Sequence, residues 1–121
     1  MINKSLSSSF KNAFHGLKYV YVTQRNAKIH LGMTLIVVAA SFLFKISSFE
    51  WLAVLIAISL VWASECFNTS LEKLTDLVSP EYNELAGVSK DTAAAGVLIA
   101  AIVAALIGLV VFLPKIIFLF T

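Results

Sequence analysis

The order of apolar and polar residues along the chain predicts one amphipathic helix followed by three membrane spans. Residues 5–22 place apolar side chains at three- and four-residue steps, which is typical of a helix with one apolar face. Basic residues recur at every seventh position on its polar flank, at Lys4, Lys11, Lys18 and Arg25. A lysine-bearing helix of this kind is expected to lie in the plane of the lipid headgroups, packed on the rest of the protein.

Three apolar stretches are long enough to cross a bilayer as helices, because each span needs roughly 20 residues. The spans are predicted at residues 27–45, 50–66 and 91–113. The second continues to residue 78 as a helix outside the membrane, since no proline or glycine interrupts it. The predicted fold class is therefore an all-α membrane protein. It is a single domain over residues 1–121, with a surface helix and three transmembrane helices.

Local signals predict how the third span begins and ends. Ser79-Pro80 is expected to stop the preceding helix and to start a short helical turn, which Gly87 closes. Ser89 is expected to cap the third span, with Asp91 in its first turn. Pro114 is expected to end the span.

Composition restricts the protein to the membrane class. The hydrophobic share is 60% and the charged share is 13%, against averages of about 45–50% and about 25% in soluble domains. Three spans leave no room for a soluble domain, and no nucleic-acid partner is expected. Residues 1–28 hold five of the nine basic residues and no acid. The positive-inside rule then places the N-terminus in the cytoplasm, the Lys45–Glu50 turn outside and the acidic segment Glu65–Asp91 inside.

The third span carries a small residue at every fourth position, at Thr92, Gly96, Ala100, Ala104 and Gly108. Such a stripe allows two helix backbones to approach closely. We expect this face to pack against another helix, in the same chain or in a neighbouring copy. The alternative is a span that is rich in alanine without a specific partner.

The segment Trp62–Asp91 carries six of the seven acidic residues of the chain. Taken as a helix at 100° per residue, four polar side chains fall within an arc of roughly 80°: Glu65, Asn68, Glu72 and Asp76. Apolar side chains occupy the opposite face. Acids beside membrane spans indicate a functional site, because charges are costly there.

This array favours a magnesium–phosphate site at the membrane surface. Mg²⁺ binds through one or two carboxylates together with substrate phosphates and water. Lys90 precedes Asp91 at a helix start, where an ammonium group and free N–H groups can hold phosphate oxygens. Glu65 lies nearest the apolar run, where desolvation suits a general base for an alcohol. The residues therefore indicate phosphoryl transfer from a nucleotide to a lipid hydroxyl.

Two runs of this segment resemble the bacterial diacylglycerol kinase and undecaprenol kinase family. ECFNTSLE at residues 65–72 is similar to the family pattern E-x-x-N-[ST]-A-[IL]-E. EYNELAGVSKD at residues 81–91 is similar to E-Y-x-x-L-[AS]-x-x-[AS]-K-D. The likeness covers nearly the whole chain, including its length, the N-terminal helix and the three spans.

The resemblance implies an ATP- and Mg²⁺-dependent kinase of the bacterial cytoplasmic membrane, which acts on undecaprenol or diacylglycerol. It implies a homotrimer with active sites shared between neighbouring subunits. Glu65 would accept the proton of the lipid hydroxyl and Glu72 would bind the metal. The remaining catalytic and nucleotide-binding residues would be Asn68, Asp76, Glu81, Asn83, Lys90 and Asp91.

The junction before the first span departs from the family pattern E-[RK]-N-x-[RK]-I-H. This chain has QRNAKIH at residues 24–30, so Gln24 stands where relatives carry an acidic metal ligand. A glutamine carbonyl binds Mg²⁺ without neutralising it, which predicts weak magnesium affinity or an altered metal stoichiometry; the alternative is a catalytically compromised enzyme. Asn83, a histidine in some relatives, can also donate to phosphate. His30 is expected to be structural and receives no functional role.

Two other functions are weighed against the kinase. A non-catalytic oligomeric scaffold or accessory protein would bind cations through the acids, and Glu65, Glu72 and Lys90 would then tolerate neutral substitution. A proton or ion pathway would need charges in mid-span. No charge interrupts the apolar runs 31–44, 51–64 and 92–113, which disfavours a pathway.

Overall fold

A computed structural model describes residues 5–121, so Lys4 lies outside the described residues. Within them the chain forms four α-helices: α1, Leu6–Thr23; α2, Arg25–Leu43; α3, Ser48–Val78; and α4, Glu84–Leu119. The last three are long and apolar enough to cross a membrane. The predicted fold class is confirmed, since the described chain is all-α with an N-terminal helix and three candidate spans.

The helix α1 begins at a serine cap and ends where the backbone becomes extended at one residue. The hydroxyl of Ser5 accepts from the N–H of Ser8 at 3.1 Å. Gln24 is extended and separates α1 from α2. Lys28 holds the two helices together, because its ammonium group donates to the carbonyl of Tyr21 at 2.8 Å. Most apolar side chains of α1 are exposed, Phe14 by 65%, and this exposure is consistent with contact to lipid.

A tight turn joins α2 to α3. Lys45 has a positive φ of 50° in the left-handed region. Ser47 and Glu50 then form a capping box: the Ser47 hydroxyl accepts from the Glu50 N–H at 3.1 Å, and a Glu50 carboxylate oxygen accepts from the Ser47 N–H at 2.9 Å. These bonds fix the start of α3 at Ser48, within the predicted Lys45–Glu50 turn.

Helix α4 begins earlier and ends later than the local sequence signals predict, whereas the bounds of the membrane span within it stay a prediction. Asn83 is the N-cap of α4, because its side-chain oxygen accepts from the N–H groups of Leu85 and Ala86. The helix therefore runs through Gly87 and Ser89, and the described chain has no separate turn before it. It also continues through Pro114 to Leu119, because a proline near a helix end forfeits one hydrogen bond while the following turn still forms.

Helices α3 and α4 make the most extensive contact between elements. A buried cluster of Ile46, Val54, Val111 and Phe112 packs near the α2–α3 turn. Along the stripe of small residues, Ala100 is buried whereas Gly96 and Gly108 have open space where a Cβ would stand. Within the described residues, close helix contact is therefore made by only part of this stripe.

Candidate active site

Helix α3 is longer than a bilayer requires. Its 31 residues span about 46 Å, against roughly 30 Å for the hydrocarbon core. Counted from Trp51, a core of about 20 residues ends near Ser70, so Glu65 falls inside this boundary and Asp76 beyond it. The candidate site residues thus lie on both sides of the point where α3 would leave the membrane.

Near Glu65 the polar face of α3 points into the protein and the apolar face points outward, whereas Asp76 at the far end of the polar face is exposed. Glu65 and Thr69 are buried, with 2% and 3% exposure. Phe67 and Leu74 on the other face are exposed by 71% and 55%. This arrangement is the reverse of that in a soluble protein, and it is favourable where lipid or another protein covers the outer face.

The deepest acid pairs with a histidine from α2. The imidazole Nε2 of His30 lies 3.1 Å from the Oε1 of Glu65. The Glu65 side chain is 3% exposed and that of His30 is 19% exposed. Within residues 5–121 the second carboxylate oxygen of Glu65 accepts no hydrogen bond. No sequence pattern pairs these two residues, and the sequence-based interpretation assigned His30 no functional role.

Two residues from the same helices hold the imidazole in place. The ring of Trp62 meets that of His30 edge-on, with centroids 6.4 Å apart. The indole N–H of Trp62 donates to the hydroxyl of Thr34 at 3.1 Å. That hydroxyl donates in turn to the carbonyl of His30 at 2.7 Å. The His30–Glu65 contact is therefore part of a connected polar cluster between α2 and α3.

One turn further along α3, an amide and a carboxylate lie side by side. The Asn68 side-chain nitrogen donates to the Oε1 of Glu72 at 3.3 Å. The Asn68 side-chain oxygen is buried and has no hydrogen-bond partner in the described part of the chain. A buried acceptor without a partner is costly, so this oxygen would gain from a donor or a cation.

Residues 5–121 contain no group of three or more His, Cys, Asp or Glu side chains that could hold a metal ion. Mg²⁺ does not need such a group, since one or two carboxylates suffice when phosphates supply the other ligands. The free oxygen of Asn68 beside the Glu72 carboxylate fits a hard cation in its chemistry. Gln24 is half-buried between α1 and α2, and its amide nitrogen donates to the Thr23 hydroxyl at 3.4 Å.

Further along α3, past Ser70, an ion pair joins α3 to α4. The ammonium group of Lys90 lies 2.5 Å from Asp76, and their side chains are 41% and 53% exposed. The hydrogen bond from Lys90 lowers the pKa of Asp76, and the same bond raises the pKa of Lys90. The hydroxyls of Thr75 and Ser89 are 3.4 Å apart beside the pair. Two predicted nucleotide-binding residues are thus in contact, and each neutralises the other.

The other predicted nucleotide-binding residues lie on or near the α3–α4 connection. Glu81 and Asp91 have exposed side chains. The carbonyl of Glu81 accepts from the Ser79 hydroxyl at 3.1 Å. Asn83 caps α4, so its side-chain oxygen is occupied by backbone N–H groups. This function of Asn83 is structural, and its contact with nucleotide stays a prediction.

An apolar groove of about 580 Å³ lies between α2, α3 and α4. Aliphatic side chains line most of it, and His30 and Thr34 are its polar lining residues. The groove therefore reaches the residue that contacts Glu65. A hydrocarbon chain would fit such a lining, because no unpaired charge would be brought into contact with it.

Residues 11–112 of the chain match the family described as prokaryotic diacylglycerol kinase. The chain belongs to this family. It is therefore a lipid kinase, and a kinase uses a nucleotide phosphoryl donor. Its three apolar helices make it a membrane protein.

Two relatives bear out the assignment. The undecaprenol kinase of Bacillus subtilis is 34% identical over 107 residues, which cover 88% of this chain and 87% of the relative. A diacylglycerol kinase of Synechocystis sp. is 38% identical over 111 residues, which cover 91% of this chain but 63% of that longer relative. The likeness that the sequence motifs indicated is confirmed, and the non-enzymatic scaffold is disfavoured.

Proposed function

We propose that this lipid kinase transfers the γ-phosphoryl group of ATP to the hydroxyl of undecaprenol or diacylglycerol, at the cytoplasmic face of the bacterial inner membrane. The observation that carries the proposal is the buried carboxylate of Glu65, which has one oxygen on His30 and the other without a partner among residues 5–121. A carboxylate at the edge of the apolar region can meet a hydroxyl that a lipid presents from the membrane.

In this reaction Glu65 is the general base. Its free oxygen accepts the proton of the lipid hydroxyl, and the hydroxyl oxygen forms a bond to the γ-phosphorus. The bond between the γ-phosphorus and the β–γ bridging oxygen breaks, and ADP leaves. Asn68 lies one turn along α3 and orients the reacting groups. The protein contributes mainly position and charge, as in other phosphoryl transfers.

Glu72 and Asn68 would hold Mg²⁺, with Gln24 as a further oxygen ligand. When bound, the metal neutralises charge on the phosphates of ATP. The Asn68 oxygen, which has no partner in the described part of the chain and lies beside Glu72, supports this assignment. Since Gln24 adds no negative charge, the expected magnesium affinity is weak.

The nucleotide would lie near the α3–α4 connection. Lys90 would bind phosphate oxygens by exchanging its partner Asp76 for ATP. Glu81, Asn83 and Asp91 are proposed to contact the sugar, base or phosphates. Partial exposure of Lys90 and Asp76 supports such an exchange, because their pair is accessible to solvent.

The proposed assembly is a homotrimer with shared active sites and the N-terminus in the cytoplasm. Large apolar side chains on α4 such as Ile99 and Val110 are exposed by 63% and 75%. Lipid or a neighbouring copy must cover them.

Undecaprenol is the acceptor we favour over diacylglycerol. The relative named undecaprenol kinase matches this chain over 87% of its own length, and the QRNAKIH junction resembles that subfamily. The apolar groove beside His30 supports a lipid with a long hydrocarbon chain. A competition assay decides between the acceptors: purified protein receives labelled ATP, Mg²⁺, undecaprenol and a short-chain diacylglycerol together. Label in diacylglycerol alone would contradict the preference.

Glu65→Gln tests the base. The variant keeps the size of the side chain but cannot take the hydroxyl proton, so turnover should fall by on the order of 10³-fold while nucleotide binding persists. Asp91→Asn is a comparison from the nucleotide region, where the KM for ATP should change and the proton transfer should not. Normal turnover of Glu65→Gln would contradict the base assignment.

A further inference from the structure

We infer that His30 is a positioning residue for the catalytic base: its Nε2–H donates to the Oε1 of Glu65, fixes the orientation of that carboxylate and leaves Oε2 for the lipid hydroxyl. The inference rests on the proposed function of Glu65. It adds a residue that neither the motifs nor the family likeness assigned, and it explains how a buried acid is retained in α3.

The first argument is electrostatic. Glu65 is buried at the end of the apolar stretch of α3, where an unpaired carboxylate is costly and needs a partner. His30 is the one side chain that donates to this carboxylate in residues 5–121, at 3.1 Å. The contact therefore supplies the partner that this buried carboxylate needs.

The second argument is geometric. One bond from His30 to Oε1 restricts rotation of the Glu65 side chain, and no second donor within the described residues takes Oε2. His30 is itself fixed by the edge of the Trp62 ring and, through its carbonyl, by Thr34. A base whose orienting partner is immobilised is already close to the geometry of reaction.

The third argument is location. His30 lies in the second turn of α2 and lines the apolar groove between α2, α3 and α4. The base and its partner therefore stand where an apolar chain in the groove would end in a polar group. A residue needed only for packing in this region would not need a polar atom facing the carboxylate.

The kinetic test compares three histidine variants with the wild-type enzyme, using the lipid alcohol that the wild type phosphorylates. His30→Leu should lower kcat by about 10- to 100-fold, the effect of losing a hydrogen bond to a charged group, and leave the KM for MgATP within about twofold. His30→Gln should recover most of this loss, because its amide nitrogen can replace Nε2. His15→Leu is the matched control, since His15 is exposed on α1, and it should behave as the wild type.

A nitrogen NMR measurement tests the contact without depending on turnover or on the folding of a His30 variant. The chain has two histidines, so His15→Gln leaves one imidazole to observe in protein labelled with ¹⁵N-histidine. The signals should show a proton held on Nε2 of His30. Adding Glu65→Gln should shift these signals, because the charged acceptor is lost.

The outcomes separate the two proposals. If Glu65→Gln abolishes turnover while His30→Leu keeps a normal kcat, the positioning role is wrong and the proposed function stands. If Glu65→Gln retains turnover, the base assignment is wrong and the role of His30 fails with it. If Glu65→Gln leaves the ¹⁵N signals of the His30 imidazole unchanged, the contact between His30 and Glu65 is absent and the inference is overturned.

Discussion

Glu50 and Lys115 are 65 positions apart in the chain, and their side chains form an ion pair of 2.5 Å. The pair links the first turn of α3 to the last turns of α4. Asp76 and Lys90 form the corresponding pair at the other end of the same two helices. The two pairs are separated by about 38 Å along the helices, which is comparable to the thickness of a bilayer with part of its headgroup region.

Breaking the ion pair between Glu50 and Lys115 should weaken the α3–α4 contact without affecting catalysis. Lys115→Met removes the cation but keeps an unbranched side chain, so the melting temperature in detergent should fall by a few degrees. Glu50→Gln should lower the melting temperature less in the Lys115→Met variant than in the wild type, because the two substitutions remove the same interaction. Kinase activity measured at low temperature should stay normal. Fully additive effects would contradict a coupling between these residues.

The ion pair between Asp76 and Lys90 predicts how the stability of the protein depends on pH. Lys90 lowers the pKa of Asp76 in the folded protein. The stabilisation that Asp76 contributes to the folded state is therefore fully present above its ordinary pKa of 3.8, and it is lost as the pH falls through its lowered pKa. Asp76 raises the pKa of Lys90 in the folded protein. The stabilisation that Lys90 contributes is therefore fully present below its ordinary pKa of 10.5, and it is lost as the pH rises through its raised pKa. Thermal unfolding measured at several pH values should give a higher melting temperature for the wild type than for Asp76→Asn near neutral pH. The difference in melting temperature should disappear in acid.

Restoring an acid at the junction of α1 and α2 should strengthen metal binding. Gln24→Glu adds a negatively charged oxygen ligand, so half-maximal activity should need several-fold less Mg²⁺. Gln24→Ala is the control and should need more Mg²⁺ than the wild type. The measurement is activity against free Mg²⁺ at saturating ATP. Equal requirements in all three proteins would exclude Gln24 from the metal site.

A substitution of Asn68 should affect the binding of MgATP without lowering the stability of the ligand-free protein. Asn68→Leu removes an acceptor that has no partner within residues 5–121, together with a long hydrogen bond to Glu72 of 3.3 Å. These two losses have opposite effects on stability, so the ligand-free protein should be about as stable as the wild type. The rise in melting temperature that MgATP produces in the wild type should disappear. Phe67→Leu is a comparison on the outward face of α3, and its response to MgATP should be preserved. A normal response of Asn68→Leu would argue against a role in binding MgATP.

Replacing Asn83 distinguishes its two assigned functions. Asn83→Ala removes the N-cap of α4 and should cost about 1 kcal/mol of stability. Asn83→Asp keeps an oxygen for the N–H groups of Leu85 and Ala86, so stability should be retained. A higher KM for ATP in Asn83→Asp, at unchanged stability, would support a nucleotide contact. An unchanged KM would leave the cap as the sole function of Asn83.

Much of the architecture follows from the sequence alone. Apolar runs of sufficient length predict the three spans, because a bilayer imposes a minimum helix length. The spacing of Glu65, Asn68 and Glu72 predicts one polar face, because helix periodicity is fixed. The residue types on that face indicate phosphoryl transfer. Helix ends were less predictable, since Asn83 competes with Ser89 as a cap and Pro114 does not terminate α4.

Tertiary structure decided which residues meet. The partners His30 and Glu65 are 35 positions apart, and their contact depends on how α2 lies against α3. No local pattern encodes that relation, because side-chain packing along the whole interface sets the helix register. The same reason explains why Lys90 was predicted as a phosphate ligand but forms a pair with Asp76. The sequence by itself determined the helices, their length and the chemistry of one face, and the packing of those helices determined which groups became partners.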